Sequence, residues 1–396
     1  MLDCTLRDGG YYNNWDFSPS LIKDYLEAMV SIQADYVEIG FRFKSNNNFK
    51  GGCAFSSDSY IKTLNIPDAL KNKIGVMVNG SDILSQGNSK IDIHKILKEL
   101  FSPKHQSQVS LVRIACHINE FEHCLPATIW LANQGYQVGF NLMQINNANE
   151  ETLSKLLKSA NTYPIDVLYF ADSIGSLNTD QVTSFVNIFK NNWDGAIGIH
   201  AHDSMGNAVK NSMQAVNDGV SWVDSTVTGM GRGSGNTQTE YLSIELDSYR
   251  NLDTSKTKLF KLIRNHFKPL KELHDWGMNP YYYLAGKYNI HPTYIQKMIT
   301  DTRYNEDDIM AVIDYLKEQG GGKFNPDLLE TARHFYSKET KGTWAPDEAI
   351  NNNNVLIIGS GPSSLRHRKE IESYIKKYNP FVIALNTHKS ISEDLI

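Results

Sequence analysis

Much of what this sequence lacks narrows its class. Cysteine is scarce: four in 396 residues (Cys4, Cys53, Cys116 and Cys124), scattered and without a C-x-x-C pair. That argues against a disulfide scaffold and for a reduced, cytoplasmic protein. No run of about 18 apolar residues occurs, so no membrane span is expected. Neither sign of charge dominates. With 39 Lys+Arg against 44 Asp+Glu the formal net charge is −5, which gives no electrostatic reason to bind nucleic acid or an acidic membrane. The opening Met1–Asp8 has neither the basic nor the apolar region of a signal peptide.

The length exceeds one ordinary domain. A single α/β barrel takes about 250 residues, which leaves roughly 150 for something else. Short β-branched or apolar runs fall at Leu2–Arg7, Tyr36–Phe41, Ile74–Val78, Ser110–Cys116, Gln137–Met143, Val167–Ala171, Ala196–His200 and Trp222–Thr228. Amphipathic stretches separate most of them, at Ser20–Ile32, Glu120–Asn133, Glu150–Ala160, Thr179–Lys190 and Asn207–Asp218. Strands alternating with helices predict a parallel sheet, and eight such units in about 240 residues fit a closed (β/α)8 barrel. Beyond Glu240 the pattern turns helical: Ser243–Leu273, Tyr281–Thr300, Glu306–Glu318 and Asp327–Tyr336. After a polar break at 347–354, Val355–Ile358, a glycine turn at Gly359–Pro362, a helix to Lys377 and Phe381–Leu385 read as one βαβ unit. The expected fold class is therefore α/β. It is a TIM barrel (1–245) with a helical extension (246–346) and a partial Rossmann-like βαβ unit (347–396) that is too small to bury both faces of its own sheet.

Barrel enzymes carry their sites at the C-terminal ends of the strands. There the sequence has Arg7-Asp8, Glu38, Cys116-His117, Asn141, Asp172-Ser173, His200-Ala201-His202-Asp203 and the loop Gly229–Asn236. His200 and His202, two apart, project to one face of a strand. With a carboxylate from another strand, best Asp8, they make a divalent-metal site whose open positions substrate oxygens can fill. H-x-H pairs also arise by chance, and position at the end of the seventh strand is what favours the metal. Arg7 is either a rim ion pair, with Glu38 as partner, or a fixed charge that stabilises an enolate oxygen. Arg7 and Asp8 reach one pocket only if the strand ends there. The loop 229–235 is a lid, a place of close backbone approach or a surface turn, and no Gly-Lys-Ser/Thr supports a phosphate loop. At the C-terminal turn a dinucleotide fingerprint would want an acid about 20 positions on; Asn386 stands there instead.

These motifs resemble the DRE-TIM metallolyase superfamily of HMG-CoA lyase, the isopropylmalate and citramalate synthases and 4-hydroxy-2-oxovalerate aldolase. The resemblance rests on Asp3–Gly10, His200–Val209 and Gly229–Thr237 and covers about residues 1–245. Arg113–Glu120 and Tyr169–Gly175 are similar to the fourth and sixth strands of the aldolase branch. The loop 229–236 lacks the reactive cysteine of HMG-CoA lyases and the Gly-Glu-Arg-Ala-Gly-Asn form of the acyl-CoA-using synthases. The resemblance implies Mn²⁺ or Mg²⁺ held by Asp8, His200 and His202, with Asn236 as a further ligand. It implies a 2-oxo acid bound with help from Ser173 and Asn141, an enolate stabilised by Arg7, and Glu38 orienting Arg7. The implied reaction is aldol cleavage or condensation between a pyruvate enolate and an aldehyde.

One position departs from the family. The aldolases have a catalytic His three residues after the metal Asp, where this chain has Tyr11. Either the base is a tuned Tyr11, His117, Tyr12 or a metal-bound water, or the aldehyde partner differs. Tyr281–Tyr283 either contribute to the site or form a packed aromatic cluster. The loop Arg42–Ser57, with Arg42, Lys44 and Lys50, is either solvated or lies over the pocket of an anionic or polyhydroxylated, sugar-derived aldehyde. A Claisen-type acyl-CoA synthase and a catalytically degenerate scaffold are the competing functions. Small molecules are the expected partners, and a homo-oligomer is compatible with the sequence.

Overall fold

The computed structural model describes residues 1–44, 49–85, 89–145, 148–336, 350, 354–359 and 362–385. The chain forms two compact units, Met1–Tyr336 and Ser337–Ile396.

Eight parallel strands close a barrel in the first unit: β1 (Leu2–Asp3), β2 (Tyr36–Phe41), β3 (Ile74–Asn79), β4 (Val109–Cys116), β5 (Gln137–Leu142), β6 (Val167–Asp172), β7 (Ala196–Ala201) and β8 (Trp222–Ser225). The seam is the pairing of Leu2 with Asp224 and of Asp3 with Ser225. β4 and β6 are buried at every position, as strands covered on both faces must be. The expected crossover helices form at Pro19–Ser31, Phe121–Asn133, Glu150–Ala160, Thr179–Asn192 and Ala208–Asn217. Short polar caps start several of them. Ser18 accepts from the Leu21 N–H, and Asn178 with Gln181 closes a reciprocal capping box, each satisfying N–H groups the first turn leaves free. The helix Lys90–Leu100 and short turns at Gly52–Phe55, Asp58–Thr63 and Gly80–Ile83 are further elements the periodicity does not reveal.

The first strand is shorter than expected. It stops at Asp3, not Arg7, and Thr5–Asp8 turn into one helical turn. The Asp3 carboxylate causes the stop. Its Oδ1 accepts from the Thr5 N–H at 2.9 Å and the Thr5 hydroxyl at 2.6 Å, a local side-chain turn that competes with the strand ladder. Tyr25 and Thr239 donate to the same carboxylate, which fixes it in the core. The eighth strand likewise ends at Ser225, and Val227–Gly229 form a 3₁₀ turn.

The stretch Ser243–Leu273 is not one helix. Thr239–Arg250 ends at Asn251 in the left-handed conformation (φ 53°), and Thr257–Leu262, a π-helical turn at Ile263–Phe267 and Lys268–His274 follow. Tyr281–Thr300 also divides, into Pro280–Lys287 and Pro292–Ile299. Asn289 is left-handed (φ 56°), and His291 precedes a proline, which disfavours its helical conformation. These two helices pack with Glu306–Gln319 and Pro326–Tyr336 around a core of their own, including Tyr294, Ile295, Val312, Ile313 and Leu316. The part of the expected extension at 337–346 lies outside the described residues.

In the second unit β9 (Val355–Ile358) pairs in parallel with β10 (Phe381–Ala384), with helices Pro362–Arg366 and Arg368–Tyr378 between them. Ile358 and Ile375 form its small buried core. The glycine turn at 360–361 and Asn386 lie outside the described residues.

Close packing beside the site is testable at Gly40. β2 shifts register between Glu38 and Gly40, and a Cβ on Gly40 would stand 1.8 Å from the Cys53 carbonyl oxygen. Gly40→Ala is expected to destabilise the protein by about 1–3 kcal/mol through forced backbone movement. Urea denaturation measures it, and an unchanged midpoint would show that the 52–55 turn yields freely.

Candidate active site

Six ionisable side chains from five segments meet toward the C-terminal end of the barrel. Each guanidinium joins two carboxylates. Arg113 on β4 donates to both oxygens of Glu38 on β2 (2.8 and 2.7 Å) and to Asp224 on β8 (2.7 Å). Arg7 donates through Nε to Glu38 (2.8 Å) and through one terminal nitrogen to Asp8 (2.9 Å). His200 Nδ1 lies 2.9 Å from Asp224 Oδ2, and its Nε2 lies 3.7 Å from Asp8 Oδ2. All are buried. The helical turn that ends β1 so early is what brings both Arg7 and Asp8 inward, where an extended strand would have sent them to opposite faces.

Burial acts against every charge here, and the partners decide the outcome. Burial would raise the Asp8 carboxyl pKa, but Arg7, then His200 and His202, outweigh it and hold it below the usual carboxylate range. Burial would likewise raise Asp224, and Arg113 with His200 pulls it down. Arg7 stays firmly charged: burial is overcome by Asp8 and Glu38. His202 is pushed well down, first by burial and then by His200, so its imidazole is neutral. Three carboxylates face two guanidiniums in this dry site, so the balance of charge falls to its histidine end, where a cation or a proton completes it.

A divalent metal fits that end. Ligand atoms of Asp8, His200 and His202 lie within 4.8 Å of one another. His202 Nδ1 and Asn236 Oδ1 are buried without a hydrogen-bond partner. Asn236 stands against the cluster, since its Nδ2 donates to Asp8 Oδ2. His200 donating to Asp224 is the arrangement in which a carboxylate orients a metal-binding imidazole. A second grouping, Cys4 with His200 and Asp224, is a poorer metal site. Burial raises the Cys4 thiol well above its ordinary pKa, and Asp224 is committed to Arg113.

The glycine loop proves to be a close backbone approach rather than a lid. His202 and Asn236 form a β-bridge, and Asp203 N–H donates to the Gly235 carbonyl (3.0 Å). A Cβ on Gly231 would stand 2.1 Å from Asn236 Nδ2 and 3.0 Å from Asp8 Oδ2. Gly235 has φ +76°, and a Cβ there would meet the Gly229 carbonyl oxygen at 2.1 Å.

Of the other expected residues, Asn141 on β5 and Ser173 after β6 are buried at the same end of the barrel. Asn141 Oδ1 has no partner, and Ser173 Oγ accepts from the Gln144 N–H (3.0 Å). Tyr11, His117 and Ser173 line an open cleft of about 670 Å³ at that face. Burial raises the Tyr11 hydroxyl above its ordinary pKa. Tyr12 donates to the Gly233 carbonyl (3.1 Å), and burial raises it further still. Neither phenol is suited to accept a proton at neutral pH. Of Tyr281–Tyr283, Tyr282 is buried in the core of the helical extension and the other two pack less fully. The loop Arg42–Ser57 does not offer Arg42 to the pocket: that guanidinium is buried against Asp58 (2.7 Å). Lys50 sits over the rings of Trp15 and Phe43, and residues 45–48 lie outside the described residues.

The sequence reading missed Arg113, Asp224, Arg232 and His291. Arg113 and Asp224 carry a readable signal, a charge in the middle of an apolar strand, which is rare unless paired. Arg232 and His291 both line the cleft. His291 caps the helix Pro292–Ile299 by accepting the Thr293 N–H at Nδ1. Burial, with Arg232 and His117 nearby, lowers its pKa to about 3. The His-Pro step was its signal.

Barrel, charge relay and ligand cluster together define a TIM-barrel protein with a two-histidine, one-carboxylate centre. Residues 1–265 match the model of the HMGL-like family, and the chain belongs to that family. It is 26% identical over 266 residues to a 4-hydroxy-2-oxovalerate aldolase of Pelotomaculum thermopropionicum, covering 64% of this chain and 74% of the relative. It is 26% identical over 354 residues to that of Carboxydothermus hydrogenoformans, covering 86% and 98%. Among solved structures, the N-terminal domain of a candidate aldolase from Bacteroides vulgatus superposes with a TM-score of 0.68 at 32% identity, over 76% of this chain and 96% of that one. HMG-CoA lyase of Bacillus subtilis shares the fold (TM-score 0.54, 14% identity, 72% and 97% covered).

Removing Arg113 would leave buried Glu38 with Arg7 alone and buried Asp224 with His200 alone. Arg113→Met is expected to cost about 3–5 kcal/mol of stability, read by chemical denaturation; a neutral result would mean that the relay contributes nothing net. For the cluster, His200→Ala and His202→Ala are each expected to abolish stoichiometric binding of Mn²⁺. Asp224→Asn is expected to weaken it about 10–100-fold, by calorimetry. Full metal binding in all three variants would exclude this centre.

Proposed function

We propose that the protein is a carbon–carbon lyase of the pyruvate-aldolase kind, dependent on a divalent metal, that forms or cleaves a 4-hydroxy-2-oxo acid. The observation that carries this reading is the Asp8–His200–His202 cluster with the charged Arg7 beside it, one of whose terminal nitrogens is buried and unpartnered. The relatives named 4-hydroxy-2-oxovalerate aldolase support the lyase class. Asp8, His200 and His202 would hold Mn²⁺ or Mg²⁺, with Asn236 as a further ligand. Bound there, the ion supplies Lewis acidity toward the carboxylate and keto oxygens of a 2-oxo acid.

The chain's own residues do the rest. Arg7 NH2, free of protein partners, donates to the oxygen that gains charge when pyruvate becomes its enolate. Glu38 holds Arg7 through Nε and is itself held by Arg113, so the donor is set before substrate arrives. Asn141 and Ser173 border the substrate, Asn141 with an acceptor oxygen to spare. With both phenols pushed up, His117 is the group we assign to proton transfer at the C4 hydroxyl. Neutral His291, whose Nδ1 accepts from Thr293, offers Nε2–H as a donor to the same oxygen. Tyr11 lines the cleft and contacts Phe41 and Trp15, and we assign it to shaping the pocket. The partners are small molecules, a 2-oxo acid and an aldehyde. Among the described residues no helix is long and apolar enough to cross a membrane.

Enolisation can be tested without knowing the aldehyde. In D₂O with Mn²⁺ or Mg²⁺, the protein is expected to exchange the methyl protons of pyruvate, followed by NMR. Absence of exchange with any divalent ion would sink the aldolase reading. Arg7→Ala is expected to slow exchange about 10²–10³-fold, the usual loss for one oxyanion donor. His117→Ala should instead impair aldol condensation and alter its pH profile.

A further inference from the structure

We propose that the acceptor aldehyde is anionic and that Arg232, Lys297 and Lys323 receive its carboxylate or phosphate in the cleft at the barrel mouth. This rests on the aldolase reading and names the substrate class of the same site.

The cleft, about 670 Å³, falls within the roughly 300–1,000 Å³ that accommodates drug-sized ligands. It is larger than pyruvate and a two-carbon aldehyde require. Its walls come from the ends of β3 to β6, from the loop after β8 through Arg232, and from the helical extension through His291, Lys297 and Lys323. Three basic side chains thus line one space. Among the described residues none of the three forms an ion pair. The Arg232 guanidinium sits over the Tyr11 ring (5.7 Å) and its Nε is buried without a hydrogen-bond partner. Lys323 offers only its backbone carbonyl to the protein, to the Tyr294 hydroxyl. Among the described residues Glu120 is the one carboxylate in the lining, and it already accepts the His117 N–H (3.0 Å). Like charges gathered without counter-charges repel, and a cleft lined by one sign attracts the opposite one. A buried, unpaired guanidinium nitrogen calls for an acceptor.

Two buried guanidiniums elsewhere are held by ion pairs. Arg113 has Glu38 and Asp224, and Arg42 has Asp58. Arg232, Lys297 and Lys323 line the cleft that opens beside Ser173 and the 229–236 loop, and the two lysines reach it from its exposed rim. The anionic group is not consumed. The bond forms between the methyl carbon of pyruvate and the aldehyde carbon. The proton lost by that methyl group ends on the aldehyde oxygen, so pyruvate and aldehyde together account for every atom of the product.

The test compares kcat/KM for condensation of pyruvate with succinic semialdehyde, glyceraldehyde 3-phosphate, butanal and glyceraldehyde, using the full chain with Mn²⁺ at low salt. At least one anionic aldehyde is expected to exceed its neutral counterpart about tenfold or more, and which one distinguishes carboxylate from phosphate. The anionic-to-neutral ratio should fall toward one in Lys297→Gln/Lys323→Gln, and also in about 0.5 M NaCl, where screening shortens the reach of the charges. Equal or lower kcat/KM for both anionic aldehydes overturns the proposal, as does a ratio untouched by the double substitution. Pyruvate proton exchange, which needs no aldehyde, separates the two readings. If exchange is absent, the aldolase reading fails. Calorimetry with succinic semialdehyde and glyceraldehyde 3-phosphate then decides the cleft: binding lost in the double variant supports it, and no binding overturns it.

Discussion

The structure turns on a relay of buried charge. Asp8, Arg7, Glu38, Arg113, Asp224 and His200 are linked end to end across the barrel mouth, each within about hydrogen-bond reach of the next. Such groups are expensive to bury singly and tolerable only as a connected set. The relay ties β2, β4, β7 and β8 to the turn after β1. It thereby couples barrel closure to the orientation of the site.

That constraint explains local features that look arbitrary alone. β1 is two residues long because Asp3 turns the chain inward, and the inward turn is what lets adjacent residues, Arg7 and Asp8, serve one centre. The loop after β8 is glycine-rich because its backbone lies against Asn236 and Asp8 with no space for a side chain. The charge balance left to the histidine end of the relay and the unpartnered atoms on His202 and Asn236 mark one place in two ways. A cation at the His200–His202 end answers both.

The cleft has a different origin. Its outer wall belongs to the helical extension, and it forms because that extension is broken. Were residues 281–300 one continuous helix, His291 would lie on a helix face. The left-handed Asn289 and the His-Pro step turn the chain, and His291 instead caps the new helix at the cleft. The inner wall is barrel, where loops at strand ends are free to vary in chemistry without disturbing the fold. On the proposed reading, the relay serves the chemistry and the extension serves the choice of aldehyde.

Much was legible in the sequence, and for definite reasons. Apolar runs separated by amphipathic stretches determine a parallel α/β barrel, because period and length leave little else to form. His200 and His202 were readable because strand geometry puts residues two apart on one face, and the resemblance supplied Asp8, Arg7, Glu38 and Asn236. Tertiary structure alone decided the rest. Whether Asp8 faces His200 depends on where β1 stops, and that depends on Tyr25 and Thr239 reaching Asp3 from distant segments. Whether Arg42 faces substrate depends on Asp58, which takes it away. Arg113, Asp224, Arg232 and His291 acquire their roles from neighbours remote in the chain. Local spacing encodes which face a side chain takes, but which charges meet, and which are left without a partner, is settled only when the barrel closes.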